Sequence, residues 1–368
     1  MKILFLTPTG ARTGSEMVLW YLMKQLVGTD VEMAVYTRQS GELFSNQSPT
    51  PLTFVNKSKR GFLYNFFEGI YHKIFKRTFE ENYLRRVHAQ FKPDYWYLNT
   101  ITMPELAQLA IKLKVPYVLH AHEMVSIYDE YRADNFAAMM HNAKMVIGCS
   151  GSVIGQLNQM ALNNVQLCHS FIDIQKIKLS TPSSVLRQQL NIPVDAYIWL
   201  MSGTMCMRKG IDFVPDVLHK LPQNTYLLWL GSESDYGAYH YVKERVKHEK
   251  LNFIALGNKG GSDYYDYLNT ADGFVLLSRE DPFPLVMIEA AYLQKPIVGF
   301  ESGGVAEFVQ QGMGKVVPAF DIQKLTTAMT DIMEGRLTID KTILRQRAET
   351  FDVKNQIGKW QELIGDLK

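Results

Sequence analysis

The stretch that decides the fold lies in the second half of the chain and reads Ser278-Arg-Glu-Asp-Pro-Phe-Pro-Leu-Val-Met-Ile-Glu289. A predicted apolar strand over 273–277 leads into its charged turn, and an apolar segment after Pro284 predicts a helix. Proline suits the first position of a helix, where its missing N–H has no partner in any case. The remaining free N–H groups and the helix dipole attract anions. With Asp281 before the helix and Glu289 about one turn inside it, this segment suits a phosphorylated sugar.

The same strand-then-helix rhythm extends outward along most of the chain. Short apolar runs alternate with longer amphipathic segments, which is the pattern of parallel sheets with crossover helices. Each half is therefore predicted to be a separate α/β, doubly wound domain. The predicted strands are 3–6, 32–36, 95–98, 117–120 and 145–149 in the first half, and 197–201, 225–230, 252–256, 273–277 and 296–299 in the second. The predicted helices include 16–26, 263–269, 285–293 and one beginning near residue 211.

Composition limits the class of protein. A length of 368 residues suits two domains, each able to bury a core. A formal net charge of +2 argues against a dedicated nucleic-acid binder. The three cysteines, Cys149, Cys168 and Cys206, lack metal-ligand spacing. No apolar run approaches the roughly 18 residues that span a bilayer. We therefore expect a reduced, cytoplasmic chain.

A second anion signal lies upstream, in Met201-Ser-Gly-Thr-Met-Cys-Met-Arg-Lys-Gly210, between a predicted strand and a predicted helix. Gly203 gives the loop flexibility, and Arg208 and Lys209 supply positive charge. Without a metal, such cations must neutralise the charge that develops on a departing diphosphate. A solvated basic pair is the alternative interpretation. It is disfavoured because cations at a helix start oppose the dipole unless an anion lies between.

The segment 281–289 resembles the retaining family-4 glycosyltransferases (glycosyl transferases group 1), which have the GT-B fold. That family carries a glutamate, a phenylalanine-glycine pair and a second glutamate. Here Asp281, Phe283-Pro284 and Glu289 stand at those positions. The resemblance implies that Glu289 binds the ribose hydroxyls of a nucleotide and that Asp281 contacts the donor sugar. Phe283, Pro284 and Leu285 would line the donor.

The loop 201–210 also resembles the family, which usually has Gly-Arg followed by Lys-Gly. Gly203 and Lys209-Gly210 match, whereas Thr204 stands where the arginine is expected. Arg208 is a candidate substitute. The resemblance implies that these residues bind the donor diphosphate, with Lys209 stabilising it as it leaves.

Two departures bear on activity. Asp281 is one methylene shorter than the family's glutamate, and the neighbouring Glu280 could compete for its role. Pro284 lacks the N–H that a glycine would offer the donor. A catalytically weak protein that binds sugar nucleotides as a partner subunit therefore remains an alternative function.

Three weaker motifs complete the predicted site. Leu256-Gly-Asn-Lys-Gly260 resembles the family's loop beneath the nucleobase, with Asn258 and Lys259 as candidates. The first strand-to-helix loop is glycine-rich, and by the resemblance Gly14 is the best candidate there to touch donor or acceptor. Its spacing is not that of a dinucleotide-binding loop. His122, followed by an acid at the end of a predicted strand, matches a histidine common in the family. A His-x-His zinc site is disfavoured because no further ligand is evident.

Residues 57–92 interrupt the sheet pattern with many basic and aromatic residues. Such a mixture suits a helix lying on an anionic membrane surface. The alternative is an ordinary pair of surface helices whose aromatic side chains face the core. The first interpretation predicts a peripheral contact at the inner face of the cell membrane.

The resemblance implies a GT-B fold with two Rossmann-like domains facing a cleft. Residues 1–175 would form the acceptor-side domain and 176–352 the nucleotide-sugar domain. A final helix over 353–368 has the N-terminal domain as a candidate packing partner. The implied reaction moves a hexosyl group from a nucleotide-diphosphate sugar to a hydroxyl acceptor, with retention and without a metal or other cofactor. Synthesis of surface polysaccharide or glycolipid, with a lipid-linked acceptor, suits this organisation. A nucleotide-sugar epimerase is the other enzymatic alternative.

Overall fold

The computed structural model describes residues 1–45, 47–56, 62–130 and 134–367. It contains two compact units. Unit 1 comprises Met1–His169 together with Ile357–Lys368, and unit 2 comprises Ser170–Gln356. The division lies a few residues before the predicted join at 175.

Unit 1 is built on a seven-stranded sheet whose paired strands all run parallel. The strands follow the order β3-β2-β1-β4-β5-β6-β7. Their bounds are β1 Lys2–Thr9, β2 Glu32–Gln39, β3 Thr53–Val55, β4 Tyr95–Leu98, β5 Tyr117–Ala121, β6 Met145–Gly148 and β7 Val165–Leu167.

The described helices of unit 1 connect these strands. They are α1 Gly14–Leu26, α2 Phe62–Phe75, α3 Phe79–Phe91, α4 Pro104–Leu113, α5 Val125–Glu130, α6 Asp134–Asn142 and α7 Gly151–Asn158. A short 3-10 turn, Glu42–Phe44, follows β2.

Unit 2 repeats the architecture with six parallel strands in the order β10-β9-β8-β11-β12-β13. Their bounds are β8 Tyr197–Ser202, β9 Thr225–Leu230, β10 Phe253–Gly257, β11 Gly273–Leu276, β12 Ile297–Phe300 and β13 Gly314–Val317. The helices are α8 Ser183–Gln189, α9 Val214–His219, α10 Tyr236–Glu249, α11 Gly261–Thr270, α12 Leu285–Tyr292, α13 Val305–Phe308, α14 Ile322–Met333 and α15 Lys341–Thr350. Short 3-10 turns occur at Ile174–Lys176, Met207–Lys209 and Ile211–Phe213.

The central strands of unit 2 show why the chain folds as parallel sheets. β8 reads YIWLMS and β9 reads TYLLWL, with nearly every residue buried. Strands covered by helices on both faces need such continuous apolar runs, because neither face reaches water. Trp199 and Trp229 are fully buried in the core of this unit.

The prediction of two α/β domains with the GT-B fold is confirmed in the form of these two parallel sheets. All ten predicted strands are present with shifts of a few residues at their ends. The sequence analysis missed β3, β7 and β13. Each is an edge strand of only three or four residues, and most of their residues are only partly buried. Short, half-buried edges carry little apolar signal.

The strand order reverses between β1 and β4 in unit 1 and between β8 and β11 in unit 2. In open parallel sheets, ligands bind beyond the carboxyl ends of the strands at such reversals. The loops after these four strands are therefore the first places to look for a site. Lys209, Asp281 and Thr100, which are described below, lie in these loops.

The last helix, α16 (Val353–Gly365), belongs to unit 1 from Ile357 onward. Its Trp360 is 1% exposed, and the indole Nε1 donates to the Tyr97 hydroxyl at 3.2 Å. The Tyr95 hydroxyl donates to the Leu367 carbonyl at 2.5 Å. The chain thus returns to pack its C-terminal segment against the unit that contains its N-terminus.

The segment predicted to lie on a membrane forms α2 and α3, and residues 57–61 of it lie outside the described residues. α3 buries Leu84, Val87 and Phe91. α2 instead exposes large apolar side chains. Of the helices described here, none combines the length and the apolar character needed to cross a bilayer.

Candidate active site

The loops after β8 and β11 in unit 2 place an acid and a base in direct contact. Lys209 Nζ lies 2.5 Å from Asp281 Oδ2, and the two side chains are 13% and 7% exposed. The Ser278 hydroxyl donates to the same carboxylate oxygen at 3.2 Å. The sequence predicted both residues at the site from two separate motifs. The fold brings them together across 72 residues.

Gly203 explains how Lys209 reaches this position. Gly203 has φ of +139°, and a Cβ placed there would lie 3.2 Å from Lys209 Cε. The lysine stem therefore lies against the glycine, where a larger residue would crowd it. The carbonyl of Gly203 accepts a hydrogen bond from Trp229 Nε1 at 2.8 Å, which anchors the turn in the core.

Two other residues of this loop that were predicted to bind the donor are more exposed to solvent than Lys209. Thr204 and Arg208 are exposed. Arg208 Nη1 donates to the backbone carbonyl of Glu280 at 2.9 Å. The predicted helix near Ile211 is wrong in its start, since a 3-10 turn covers 211–213 and α9 begins at Val214. Asp281, rather than Glu280, forms the ion pair with Lys209.

Asp281 is held by the backbone of a second loop. Its N–H donates to the Ser302 carbonyl at 2.7 Å, and its own carbonyl accepts from Gly304 N–H at 3.2 Å. Ser302 is 5% exposed, and its hydroxyl oxygen has no hydrogen-bond partner among the described residues. These contacts fix the position of the carboxylate that follows β11.

The start of α12 differs slightly from the sequence prediction. Pro284 is the N-cap residue, and Leu285 is the first helical residue. Proline at the N-cap still leaves the first N–H groups of the helix available to an anion. Phe283 is 5% exposed, and its ring packs against Phe351 with 5.2 Å between centroids. Phe283 is therefore a packing residue in this structure, and its predicted contact with a donor stays a prediction.

Glu289 lies on α12 and is held by two tyrosines from α11. Its Oε2 accepts from the Tyr264 hydroxyl at 2.8 Å, and its Oε1 is 3.3 Å from the Tyr265 hydroxyl. The Tyr264 oxygen is also 3.2 Å from the hydroxyl of Ser202, the last residue of β8. A continuous polar network therefore links Glu289 to the end of β8, next to Gly203. A carboxylate has more lone pairs than these two hydroxyls use, so it can also accept ribose hydroxyls.

The loop predicted to lie beneath a nucleobase follows β10. Asn258 and Lys259 are exposed there, and Lys259 Nζ lies 5.0 Å from the centre of the Tyr267 ring. Their predicted role in donor binding stays a prediction.

In unit 1, the first helix begins with a buried acid that the sequence analysis did not select. Glu16 is 1% exposed and accepts from the hydroxyls of Thr7 at 2.9 Å, Ser15 at 2.7 Å and Thr13. Gly14 is the first residue of α1, and a Cβ there would meet no atom within 4 Å. The backbone at Gly14 is therefore open to a ligand. That contact stays a prediction.

His122 and its neighbours follow β5. His120 is 2% exposed, and its Nδ1 is 2.8 Å from the Tyr97 hydroxyl. The rings of His120 and His122 lie 3.9 Å apart, centroid to centroid, and are tilted by 40° to one another. Burial lowers the pKa of His122 to about 3, so its imidazole is neutral at physiological pH. The Nε2 atoms of both rings have no hydrogen-bond partner within the described chain.

Glu123 lies beside these histidines with a strongly perturbed acidity. Burial, opposed by hydrogen bonds and aided by the charge of Glu16, raises its pKa to about 7. The Glu123 carboxylate accepts hydrogen bonds from the Thr100 hydroxyl and, at 2.9 Å, from the backbone N–H of His122. A perturbed acid beside neutral imidazoles at a sheet reversal is typical of a functional site.

Three residues that sequence reasoning missed therefore belong to the candidate site: Tyr264, Tyr265 and Glu16. Paired tyrosines early in a helix after a glycine-rich loop would have been a weak signal. Glu16 offered a stronger one, because an acid interrupts the apolar face of α1. Over the described ranges, no three His, Cys, Asp or Glu side chains are grouped as a metal ion would require.

Two family models match the chain and together span most of it. Residues 183–350 match the model described as Glycosyl transferases group 1, and residues 12–176 match Glycosyltransferase Family 4. The first match contains the Lys209–Asp281 pair and Glu289. The second contains Glu16 and the residues after β5.

Curated relatives are similar over part of their length. The sulfoquinovosyl transferase SQD2 of Arabidopsis thaliana is 22% identical over 72% of this chain and 55% of its own. The O-antigen biosynthesis glycosyltransferase WclY of Escherichia coli is 28% identical over 49% of this chain and 50% of its own. The chain thus spans about half the length of the curated relatives it matches.

A solved structure is similar over the whole chain. HepE of Anabaena, in a crystal structure with UDP and glucose, superposes with a TM-score of 0.80 and 22% identity, covering 100% of both chains. This likeness concerns the fold. Taken with the two family models, it places the chain among the family-4-like glycosyltransferases with the GT-B fold.

Proposed function

We propose that this protein transfers a hexosyl group from a nucleotide-diphosphate sugar to a hydroxyl acceptor, with retention of anomeric configuration. The observation that carries the proposal is the Lys209–Asp281 ion pair at the strand-order reversal of unit 2, beside the N-terminus of α12. A cation, a carboxylate and a helix start at one place suit a ligand with both phosphate and hydroxyl groups.

The nucleotide half of the donor is assigned to Glu289. Its two oxygens already accept from two phenolic hydroxyls, Tyr264 and Tyr265. Ribose offers two neighbouring hydroxyls that a carboxylate can accept in the same way. We propose that the ribose takes part of this hydrogen bonding when the donor binds, while the tyrosines keep the carboxylate in place.

The diphosphate is assigned to Lys209, with Arg208 as a second cation. Lys209 donates to Asp281. A diphosphate carries more negative charge than one carboxylate, so it can draw the ammonium from Asp281. Asp281 is then free to accept hydroxyls of the sugar. Arg208 is exposed. In the described chain its guanidinium donates a hydrogen bond to the backbone carbonyl of Glu280, so the side chain can turn toward the phosphates by giving up that bond.

The proposed chemistry is a displacement on the front face of the sugar. The bond between the anomeric carbon and the phosphate oxygen breaks, and its electron pair leaves with the nucleoside diphosphate. The acceptor oxygen bonds to the same face of that carbon, and its proton passes to the departing phosphate. Lys209 and Arg208 stabilise the added negative charge without a metal. A chelator should therefore leave activity unchanged.

Two residues of unit 1 are proposed to act on the same substrates. A neutral His122 with a free Nε2 can form one hydrogen bond to a sugar hydroxyl without adding charge. Gly14 offers open backbone at the start of α1. Both roles come from the family resemblance and agree with the local geometry.

The relatives indicate which donor and pathway to test first. HepE was crystallised with UDP and glucose, and WclY takes part in O-antigen biosynthesis. We propose a uridine-diphosphate hexose as the first donor to test. The proposed setting is synthesis of surface polysaccharide or glycolipid.

Slow hydrolysis of the donor without an acceptor tests the proposal. The purified chain is incubated with UDP-glucose, and with the guanosine and adenosine analogues, while free sugar and nucleotide are measured. We expect one donor to release both, with the sugar first appearing as the anomer that the donor carried. Release of nucleotide with an epimerised sugar would indicate an epimerase. Tight binding with no release from any donor would indicate a binding subunit.

A further inference from the structure

We propose that α2 docks this protein on an anionic lipid bilayer through one exposed apolar face. The face consists of Phe66, Phe67, Ile70 and Ile74, whose exposed fractions are 54%, 57%, 42% and 66%. These positions follow helical spacing and cover roughly a 100° arc of the helix. The alternative interpretation, in which the aromatic side chains of residues 57–92 face the core, therefore does not hold for Phe66 and Phe67.

Another side of α2 contacts the start of α3, although Phe75 on that side is itself 56% exposed. The Tyr71 ring lies 4.5 Å from Phe75 and 4.9 Å from Phe79, centroid to centroid. Tyr71 also accepts from Asn82 at 2.7 Å. These contacts attach α2 to the start of α3 by one side. The apolar face lies on another side of the helix and points into solvent.

The charges around this face have one sign. Lys73, Lys76 and Arg77 are exposed at the C-terminal end of α2. Glu68 is the single acid in the helix sequence, and its Oε1 accepts from the Phe79 N–H at 3.3 Å. Helical geometry places Glu68 away from the apolar face. The surface offered to a partner is therefore apolar with a basic edge.

This combination fits an anionic bilayer better than a second copy of the chain. Aromatic and aliphatic side chains beside lysine and arginine let a helix lie in the interface, with its apolar face among the acyl chains. A symmetric contact between two α2 helices would bring two basic edges together, which like-charge repulsion opposes. Anionic headgroups neutralise the same edge.

The second helix of residues 57–92, α3, differs from α2 and thereby supports the assignment of membrane docking to α2. α3 pairs Arg85 with Glu81 at 2.9 Å and buries Leu84, Val87 and Phe91. Its apolar residues are therefore used within unit 1, and one of its basic residues is paired there, although Arg86 is exposed. Membrane docking is assigned to α2 alone.

The inference goes beyond the proposed transfer reaction and can fail independently of it. The test measures co-sedimentation of the full chain with phosphatidylcholine vesicles, with and without phosphatidylglycerol. We expect binding to the anionic vesicles, weaker binding at high salt and little binding to neutral vesicles. Absence of binding to anionic vesicles would overturn the proposal, whatever the donor-hydrolysis assay shows.

Two variants locate the contact. Phe67→Ala/Ile74→Ala should lower the partition coefficient by about tenfold or more, because two large side chains no longer leave water. Lys73→Gln/Lys76→Gln/Arg77→Gln should also lower it by more than about tenfold and remove most of the salt dependence, since each charge near an anionic surface is worth roughly fivefold.

Matched controls keep these results specific. Val27→Ala/Val194→Ala removes two other exposed apolar side chains, 58% and 92% exposed, and should bind as the unchanged protein does. Donor hydrolysis without vesicles should be the same in every variant. Equal vesicle binding by the α2 variants and the unchanged protein would overturn the assignment. So would a vesicle-free dimer that Phe67→Ala/Ile74→Ala dissociates, because the face would then belong to a second copy.

Discussion

The two units differ in how the charged groups near the carboxyl ends of their strands are paired. In unit 2, the loops at the strand-order reversal pair Lys209 with Asp281, so the local charges cancel. In unit 1, the start of α1 and the loop after β5 hold two acids, the buried Glu16 and the half-buried Glu123, among hydroxyls and neutral imidazoles. The first arrangement can exchange one anion for another. The second retains a proton near neutral pH.

This difference between the units indicates which of them suits a diphosphate and which suits hydroxyl groups. A lysine held by a single carboxylate can turn to a diphosphate, because the diphosphate carries more negative charge than the carboxylate does. A cluster of acids and neutral rings suits uncharged hydroxyl groups, which can both donate and accept. Unit 2 is therefore the proposed diphosphate site, and the unit 1 cluster is suited to hydroxyls.

The largest expected effect comes from removing the cation of unit 2. Lys209→Met should lower donor turnover by about 10²- to 10³-fold, because the leaving diphosphate loses its main positive partner. Initial rates of donor hydrolysis measure it. Lys220→Met, which removes an exposed lysine bonded to Gln323, is the matched control and should be silent. Full activity in Lys209→Met would show that the ion pair is structural.

The same variant should also lower stability. Lys209 is 13% exposed, and its removal leaves the carboxylate of Asp281, which is 7% exposed, without its cationic partner. We expect a loss of about 3 kcal/mol in the free energy of unfolding. Adding Asp281→Asn should restore most of that stability without restoring turnover. Chemical denaturation of the three proteins separates the two effects.

Glu289→Gln should have the next largest effect, on nucleotide affinity. Losing a charged acceptor for the ribose should weaken binding of the nucleoside diphosphate by about tenfold or more. Titration calorimetry measures the affinity directly. If the affinity does not change, Glu289 does not bind the ribose.

The acidic cluster of unit 1 predicts a pH dependence of stability. The pKa of Glu123 is raised to about 7, so its protonated form is favoured in the folded state. Protonated Glu123 adds to the free energy of unfolding, and this addition is complete below the unfolded-state pKa of about 4.5. It declines as the pH rises and is lost once the pH passes about 7. Relative to the unchanged protein, Glu123→Gln should gain about 1–2 kcal/mol between pH 5 and pH 8. Parallel unfolding curves across that range would contradict the buried proton.

The smallest effect should come from the tyrosines that orient Glu289. Tyr264→Phe removes a 2.8 Å hydrogen bond and should weaken nucleotide binding by about threefold to tenfold. Tyr265→Phe is the matched control, because its 3.3 Å contact is longer and should matter less. Equal losses from the two variants would argue against a specific role of Tyr264.

Sequence reasoning predicted the central strands and selected Lys209 and Asp281 separately, because each of these features leaves a local signal. It did not predict that the two residues form an ion pair. Continuous apolar runs indicated the buried strands. The candidate polar residues could then be found in the loops that follow those strands in the sequence. The edge strands β3, β7 and β13 were missed because they are short and half-buried. Contacts between distant elements, such as Tyr264 with Glu289, have no local signal and required the fold.

The exposure of α2 could not be predicted for a related reason. Aromatic residues at helical spacing look the same whether they face a core or solvent. Only the packing of Tyr71 against Phe75 and Phe79 shows which side of α2 is attached. Local sequence thus predicts elements better than it predicts which face of an element is covered.

Nucleotide binding tests the central claim most directly. Uridine, guanosine and adenosine diphosphates, each beside its own nucleoside, are titrated into the unchanged protein and into Lys209→Met/Asp281→Asn. We predict that one diphosphate binds the unchanged protein at least about tenfold more tightly than its nucleoside, and that the variant loses this difference. Equal binding of diphosphate and nucleoside, or a variant that keeps the full difference, would contradict the claim that Lys209 exchanges Asp281 for a diphosphate.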